Sequence, residues 1–325
     1  MAKTVAEDPS TPSSGQAEIL QRTRGRVRSR RQLYNKRDAF FFASPGLFLI
    51  VAFIIVPLIY SLYLTLVNYD LAIGPPAEFV GLENYVEVFT DDPDFWHSWV
   101  TTFLIIFPAL TGQLLLGLGI ALLLNRIVRG RALFTSLLII PAMVSPVSAA
   151  MAWRMLLGVK YGGVNNLLRQ VGILDVYFDW FATPFMAIMS IVAVEIWHNT
   201  SFIMIVLLAG LQAIPQELYE SAEVDGASSW KQFWYITLPL LKFTMIVALL
   251  IRMIDLTKIF GLIYLLTFGG PGGATQTIAF NTYLRGFTDF RISYASTLSY
   301  IIVIGVFFLT WIFQRVSRFQ EDAEA

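Results

Sequence analysis

Six apolar runs, Phe41–Val67, Trp99–Leu124, Phe134–Leu157, Pro184–Ala209, Leu241–Leu266 and Tyr294–Phe313, dominate this 325-residue chain. Each reaches the ~20 helical residues that the hydrocarbon core of a bilayer requires. An isolated strand cannot satisfy its backbone groups in lipid, so each run is expected to be a helix. With 56% hydrophobic and only 14% charged residues, too little polar surface remains for a water-soluble globule. The expected fold class is all-α: a polytopic membrane protein with six transmembrane helices. The first run begins too late and is too long for a cleaved signal peptide, and reads as the first span.

Basic residues orient the spans. The stretch before Asp38, with "RTRGRVRSRR", falls on one side together with Arg126, Arg129, Arg131, Lys231, Lys242, Arg315 and Arg318. Only Lys160, Arg169, Arg285 and Arg291 fall on the other, where the segment 68–98 carries acids and no Lys or Arg. Both termini are therefore expected in the cytoplasm, with the chain multi-pass in the membrane. Residues 1–37 cannot bury a core and are expected to be a disordered basic tail, followed by a six-helix domain over 38–317 and a short C-terminal tail over 318–325. Alone, the arginine run would suggest nucleic acid. Beside six spans it reads as a topology anchor in contact with anionic membrane lipid, with no nucleic-acid partner.

Several chemistries are excluded or disfavoured. The chain has no cysteine, hence no disulfide, thiolate metal site or thiol catalysis. His97 and His198 lie far apart with no ligand-spaced partner, so no metal site is expected, and no Ser/His/Asp grouping points to a catalytic centre. "FGGPGG" (Phe268–Gly273) lacks the G-x-x-x-x-G-K-[ST] continuation of a phosphate-binding loop, as does the whole chain, and reads as a plain turn. If solute is moved with ATP, the ATPase is another polypeptide. Prolines inside the runs (Pro57, Pro108, Pro141, Pro146) are tolerated where neighbouring helices satisfy the freed backbone groups, which argues for a packed bundle.

The segment 212–240 interrupts this pattern with acids, a lysine and a Ser-Ser pair. Pro215 suits the first turn of a short helix running to Asp225, and Gly226 its left-handed stop. Ser229 and Gln232 have capping-box spacing for a second short helix, which Pro239 is expected to end. Leu211, Ile214, Leu218 and Ala222 fall on one side of the helical period. An amphipathic hairpin on the lipid headgroups is one reading. Three acids on the first helix, with no basic residue beside them, favour docking into a groove on a partner.

"IPQELYESAEVDGASSWKQFWYITLPLL" closely resembles the cytoplasmic EAA loop of permease subunits of binding-protein-dependent ABC importers, with Glu220, Ser221, Ala222, Gly226, Ile236, Leu238 and Pro239 at its positions. Ser221 stands where the pattern has alanine. "FVGLENYVEVFTDDPDFW" (Phe79–Trp96), "VEIWHNTSF" (Val194–Phe202) and "RMIDLTKIFGLIYLLTFGGPG" (Arg252–Gly272) resemble the carbohydrate-transporting branch, that of maltose, trehalose and glycerol-phosphate permeases. Gly261 departs from the aspartate that relatives often carry. The resemblance implies a type I ABC importer permease fold, no enzymatic activity in this chain, and three kinds of partner: a second permease, generally a different chain, two copies of an ATPase that uses ATP and Mg, and an extracytoplasmic binding protein that delivers the sugar. It also implies that Glu220, Ser221, Ala222, Asp225 and Gly226 couple the spans to the ATPase.

Glu195 lies near the middle of the fourth run; Arg252, Asp255 and Lys258 stand at i, i+3 spacing in the fifth. An ionisable group at that depth costs about 2.5–3.5 kcal/mol unless paired or hydrated, so these side chains face the protein interior. Two readings stand. One is an ion-pair network between spans, such as Glu195 with Arg252. The other is a polar lining of the solute path, in which Asp255, Lys258, Asn199 and Trp197 meet hydroxyls and sugar faces. The leading function is a sugar importer permease. Its alternatives are the same architecture carrying an anionic substrate such as glycerol phosphate, or an ATP-independent secondary transporter.

Overall fold

The computed structural model describes residues 36–71, 74, 78–126 and 129–324. Most of the expected basic tail, residues 1–35, lies outside the described residues. The chain divides into two units between Ser61 and Leu62.

The first unit contains helix α1 (Lys36–Ile50), a π-helical turn (Val51–Ile55) and most of helix α2 (Val56–Leu64). Together they form the first candidate span, Phe40–Leu64. Pro57 has no N–H to donate, and the wider turn just before it, closed by Val56 N–H to Val51 O, takes up the break without ending the helix. Nearly all its side chains are exposed.

The second unit opens with a two-residue antiparallel ladder, β1 (Val67–Asn68) against β2 (Glu78–Phe79), a small exception to an otherwise helical chain. Helices α3 (Glu83–Thr90), α4 (Pro93–Arg126), α5 (Arg131–Met143), α6 (Pro146–Leu156), α7 (Gly163–Gln170) and α8 (Pro184–Ala213) come next. After them are α9 (Gln216–Val224), α10 (Ser229–Gln232), a π turn (Phe233–Thr237) and α11 (Leu238–Thr257). Helices α12 (Gly261–Leu266) and α13 (Ile278–Tyr283), a third π turn (Leu284–Thr288) and α14 (Ile292–Glu324) complete the unit.

Three of the expected spans are corrected. The third is two helices, α5 and α6, bent by 89° at residues 144–145. Ser145 precedes Pro146 and is held extended by it, while the proline opens α6, where its missing N–H is not needed. The fifth ends at Thr257 rather than Leu266, because the chain breaks at 258–260 before α12 begins. At its other end that span starts early: Ser229–Thr257 is one helix long and apolar enough to cross a membrane. Pro239, expected to end the second short helix, instead lies in the first turn of α11, and the π turn, closed by Leu238 N–H to Phe233 O, absorbs its missing bond. Finally, α14 runs through the expected tail to Glu324.

Helices α4 and α8 form the axis of the second unit and run parallel. Lipid tails are as apolar as leucine, so close packing rather than exclusion from water holds such a pair together. A Cβ at Gly117 would lie 2.7 Å from Ile203 Cγ2 and 3.1 Å from the Met204 backbone nitrogen, so only glycine permits this approach. Ile105, Ile106, Ile191, Val192, Ile263 and Phe280 form one apolar cluster, and Ala121, Leu124, Leu207, Leu208, Leu211 and Leu241 another. Polar side chains occupy the level between them.

At the end where α4 begins, charged side chains join distant segments. Arg285 pairs with Asp92 (3.4 Å), Asp94 (3.1 Å) and Asp289 (3.3 Å), and Arg291 with Glu87 (2.7 Å). The Tyr294 hydroxyl donates to Asp92, and the Arg291 guanidinium lies 4.4 Å from the centre of the Tyr294 ring. Burial works against the charge on Arg285, but Asp92 and Asp289 outweigh it and hold the guanidinium further toward its charged form. This clamp marks one end of the bundle; the segment 212–237 marks the other.

Candidate functional site

The polar layer within the bundle centres on Arg252. Its Nη2 donates to Glu195 Oε1 at 2.5 Å, its Nε to Gln113 Oε1 at 3.1 Å, and its Nη1 to Asp255 Oδ2 at 3.4 Å. Gln113 in turn donates to the Glu195 main-chain carbonyl at 3.1 Å, so α4, α8 and α11 are tied at one level. Asn199 Nδ2 donates to the same Glu195 oxygen at 2.7 Å, one helical turn along α8. The pair is charge-matched and hydrogen-bonded on both sides, which is what makes a buried ion pair tolerable.

The layer continues through His198. Its Nε2 lies 2.9 Å from Val144 O and its Nδ1 3.0 Å from Asn199 Nδ2. A neutral ring with the proton on Nε2 satisfies both contacts: it donates to the carbonyl and accepts from the amide. Val144 lies at the 89° bend, where the helix ladder stops and its carbonyl needs an outside donor. Ser201 adds a second strap from α8 to α5, donating to Leu138 O at 2.5 Å.

The expected intramembrane residues therefore divide. Glu195 and Arg252 are buried, with side chains 9% and 7% exposed, and bind each other. Asp255 and Lys258 are 50% and 63% exposed and face each other loosely at 3.7 Å. Trp197 packs edge-on against Trp153 at 5.4 Å between ring centres. Asn199 is half-buried and touches the network directly. The network reading describes Glu195, Arg252 and Asn199, while Asp255 and Lys258 have the exposure a lining requires. Gln113 and His198 are additions: a neutral amide in an apolar run carries no charge signal, and the partner of His198 exists only because α5 breaks.

At the opposite end, α9 projects as a short, well-terminated helix. Pro215 is its N-cap rather than its first helical residue. Gly226 has φ +75°, its N–H bonds to Glu223 O at 3.0 Å, and Ala227 N–H reaches Ala222 O at 2.8 Å, a complete Schellman closure. The next helix starts one residue earlier than the capping-box spacing suggests. Ser228, not Ser229, is its cap, accepting from Lys231 N–H at 3.5 Å, and Gln232 Nε2 donates to Ala227 O at 3.4 Å. The closure at Gly226 and Ala227 leaves Ser228 as the first extended residue, and the adjacent serine supplies the same hydroxyl. The Tyr219 hydroxyl lies 3.0 Å from Thr237 Oγ1, fastening α9 to the π turn.

No residue of α9 is buried. Glu217, Glu220, Glu223, Asp225 and Ser221 are exposed, Ala222 is half-buried, and among the described residues the side chains of these acids make no ion pair. Between α9 and the ends of α4 and α8 lies a cleft of about 890 Å3 whose walls include Asn125, Arg126, Gln212, Tyr219, Glu223 and Trp230. An exposed acidic helix closed at its C-terminal end and backed by a cleft is suited to binding a basic protein surface.

The relatives of this chain are consistent with the geometry. It is 40% identical to the trehalose/maltose transport system permease protein MalF of Thermococcus litoralis over 86% of this chain and 92% of that protein. It is 35% identical to the sulfoquinovosyl glycerol transport system permease protein SmoG of Agrobacterium fabrum, over 85% and 88%. Among solved structures, a bacterial ABC transporter involved in import of the acidic polysaccharide alginate superposes with a TM-score of 0.74 at 25% identity, covering 87% of this chain and 96% of that one. The fold is that of a type I ABC importer permease. Residues 113–320 match the family model described as the binding-protein-dependent transport system inner membrane component, and the chain belongs to that family.

Proposed function

We propose that this chain is the membrane-spanning permease of an ATP-driven importer that carries a sugar or polyol delivered by an extracytoplasmic binding protein. Two copies of a separate ATPase serve the importer, one of them docking against α9, and a second permease completes the path. The carrying observation is α9 itself: an acidic helix with no buried residue, terminated rigidly at Gly226, at the end of a bundle whose interior ion pair is closed on itself. Such a helix finds its partner on another chain, and in this family that chain is the ATPase. Glu220 and Gly226 are the main coupling residues, with Ser221, Ala222 and Asp225 completing the contact. In this reading the 212–237 end and both termini face the cytoplasm of a prokaryote, and the Arg285 clamp faces the binding protein.

For substrate, Asp255, Lys258 and Asn199 supply hydrogen-bonding groups of both kinds at a half-exposed site, which suits a polyhydroxylated solute. An anionic substrate such as glycerol phosphate is the second reading. It draws support from the exposed ammonium of Lys258 and from the acidic polysaccharide imported by the structural relative.

The test is purification of the tagged chain from its native membrane beside a double Glu220→Ala, Gly226→Val variant, with mass spectrometry of the copurifying chains. An ATPase and a second permease with the wild type, and loss of the ATPase from the variant, are expected. An ATPase absent from both would leave an ATP-independent transporter in its place.

A further inference from the structure

Beyond the polar network lies a group of aromatic rings that neither the network nor the docking helix uses. Phe260 stands in the break after α11, Tyr264 belongs to α12, Tyr283 ends α13 and Phe287 lies in the π turn after it. Their ring centres form a chain: Phe260 to Tyr264 5.4 Å, Phe260 to Tyr283 4.7 Å and Tyr283 to Phe287 5.3 Å. Fully buried Phe280 backs them at 6.1 Å from Phe260, and α13 is bolted to α4 by Ile278 N–H to Thr102 and Asn281 to Ser98. The rings are therefore fixed, and each keeps part of its surface open. Phe287 is 70% exposed, while Phe260, Tyr264 and Tyr283 are half-buried, the first two resting against the cluster of Ile263 and Phe280.

The two ends of the chain of rings decide what this wall faces. Phe287 lies between Arg285 and Asp289 of the clamp, and Phe260 lies two residues from Lys258 beside Asp255. At its inner end a lipid-facing wall would carry the exposed charges of Asp255 and Lys258 into hydrocarbon, where each costs about 2.5–3.5 kcal/mol. An apolar face of another subunit would strip water from Asp255 and Lys258, whose mutual contact at 3.7 Å is too loose to offset that cost. A sugar has the matching character, with apolar C–H faces for the rings and hydroxyls for Asp255, Lys258 and the two phenol groups. Rigid aromatic side chains supply contact area at low entropic cost, since only two torsions are fixed for each.

We propose that Phe287, Tyr283, Tyr264 and Phe260 form an aromatic wall along which the sugar passes from the outer clamp to Asp255 and Lys258. This rests on the sugar reading of the function. The wall offers successive faces rather than one deep pocket, so it acts on the rate of entry and on the preference for sugars with broad apolar faces.

The experiment uses the complete importer, reconstituted in vesicles with its copurifying partners, and maltose and trehalose as probes. Tyr283→Leu with Phe287→Leu keeps apolar volume and removes the aromatic faces; Phe287→Trp keeps a face. The expected result is a rise of about tenfold in KM for uptake in the double leucine variant, with assembly unchanged and KM restored toward wild type by tryptophan at 287. Wild-type KM in the leucine variant overturns the wall. So does loss of the second permease from that variant, which makes these rings a subunit contact. If the wild type takes up neither disaccharide nor any of a panel of monosaccharides, oligosaccharides and polyols, the sugar reading itself falls and the wall falls with it.

Discussion

Helix α8 places Glu195, Asn199 and His198 among partners from α4, α5 and α11, whereas α9, two residues further along the chain, leaves Glu217, Glu220 and Glu223 in the open. The same kinds of side chain serve opposite ends. In α8 each polar group is answered from within the chain, because nothing outside a bilayer core can answer it. In α9 the acids make no ion pair among the described residues, and rigidity comes from the termination at Gly226 and from Tyr219 rather than from burial. The chain is thus closed in its middle and open at its edge.

That contrast is most sharply tested where the interior is closed. Arg252→Leu strands the Glu195 carboxylate and is expected to cost about 3–5 kcal/mol, seen as a large fall in the melting temperature of the detergent-solubilised complex. Replacing both partners, Glu195→Gln with Arg252→Gln, is expected to recover part of the loss; equal melting temperatures for the single and double variants would show that the pair is not coupled. Next comes Gly117→Val, which forces α4 and α8 apart and is expected to cost about 1–3 kcal/mol, checked by the yield of folded protein and its thermal unfolding.

The edge behaves differently. Gly226→Val meets no neighbouring atom and strains only a left-handed residue at the end of α9, about 1–2 kcal/mol, so the strain is relieved by local fraying of α9 and the bundle is expected to lose at most a few degrees of melting temperature while transport is uncoupled and the ATPase no longer copurifies. Normal transport with valine there breaks the comparison. The smallest effect on folding is expected for half-exposed Asp255→Asn, within about 0.5 kcal/mol, with substrate-dependent uptake changed instead. Loss of folded protein from that variant would move Asp255 to the closed side.

Much of this contrast is legible in the chain itself. Length and apolarity reveal six spans, and Gly226, Pro215 and the acids reveal a short exposed helix. Hydropathy does not reveal where an apolar run bends. Val144–Pro146 and Lys258–Phe260 interrupt runs whose composition stays apolar on both sides, so α12 reads as the end of a span although it is a separate helix. The site loses most by this: His198 has a partner only at the first break, and the aromatic wall begins at the second. Ser228 and Ser229 show the same limit at small scale. Two adjacent hydroxyls fit a cap equally well by type, and the closure at Gly226 and Ala227 chooses between them.

The unbroken helix from Ser229 to Thr257 carries a mechanical consequence. Trp230, beside the docking helix, and Arg252, in the ion pair, belong to one rod, separated by about 33 Å at 1.5 Å per residue. A tilt of that rod by about 10° displaces one end relative to the other by about 6 Å, far more than the Glu195 bond can stretch. Either α8 moves with the rod or the bond breaks. The hairpin and the buried ion pair are therefore lever and latch: a displacement of one end of this helix is felt at the other, through the π turn at Phe233–Thr237 and with no break in the chain of helical bonds.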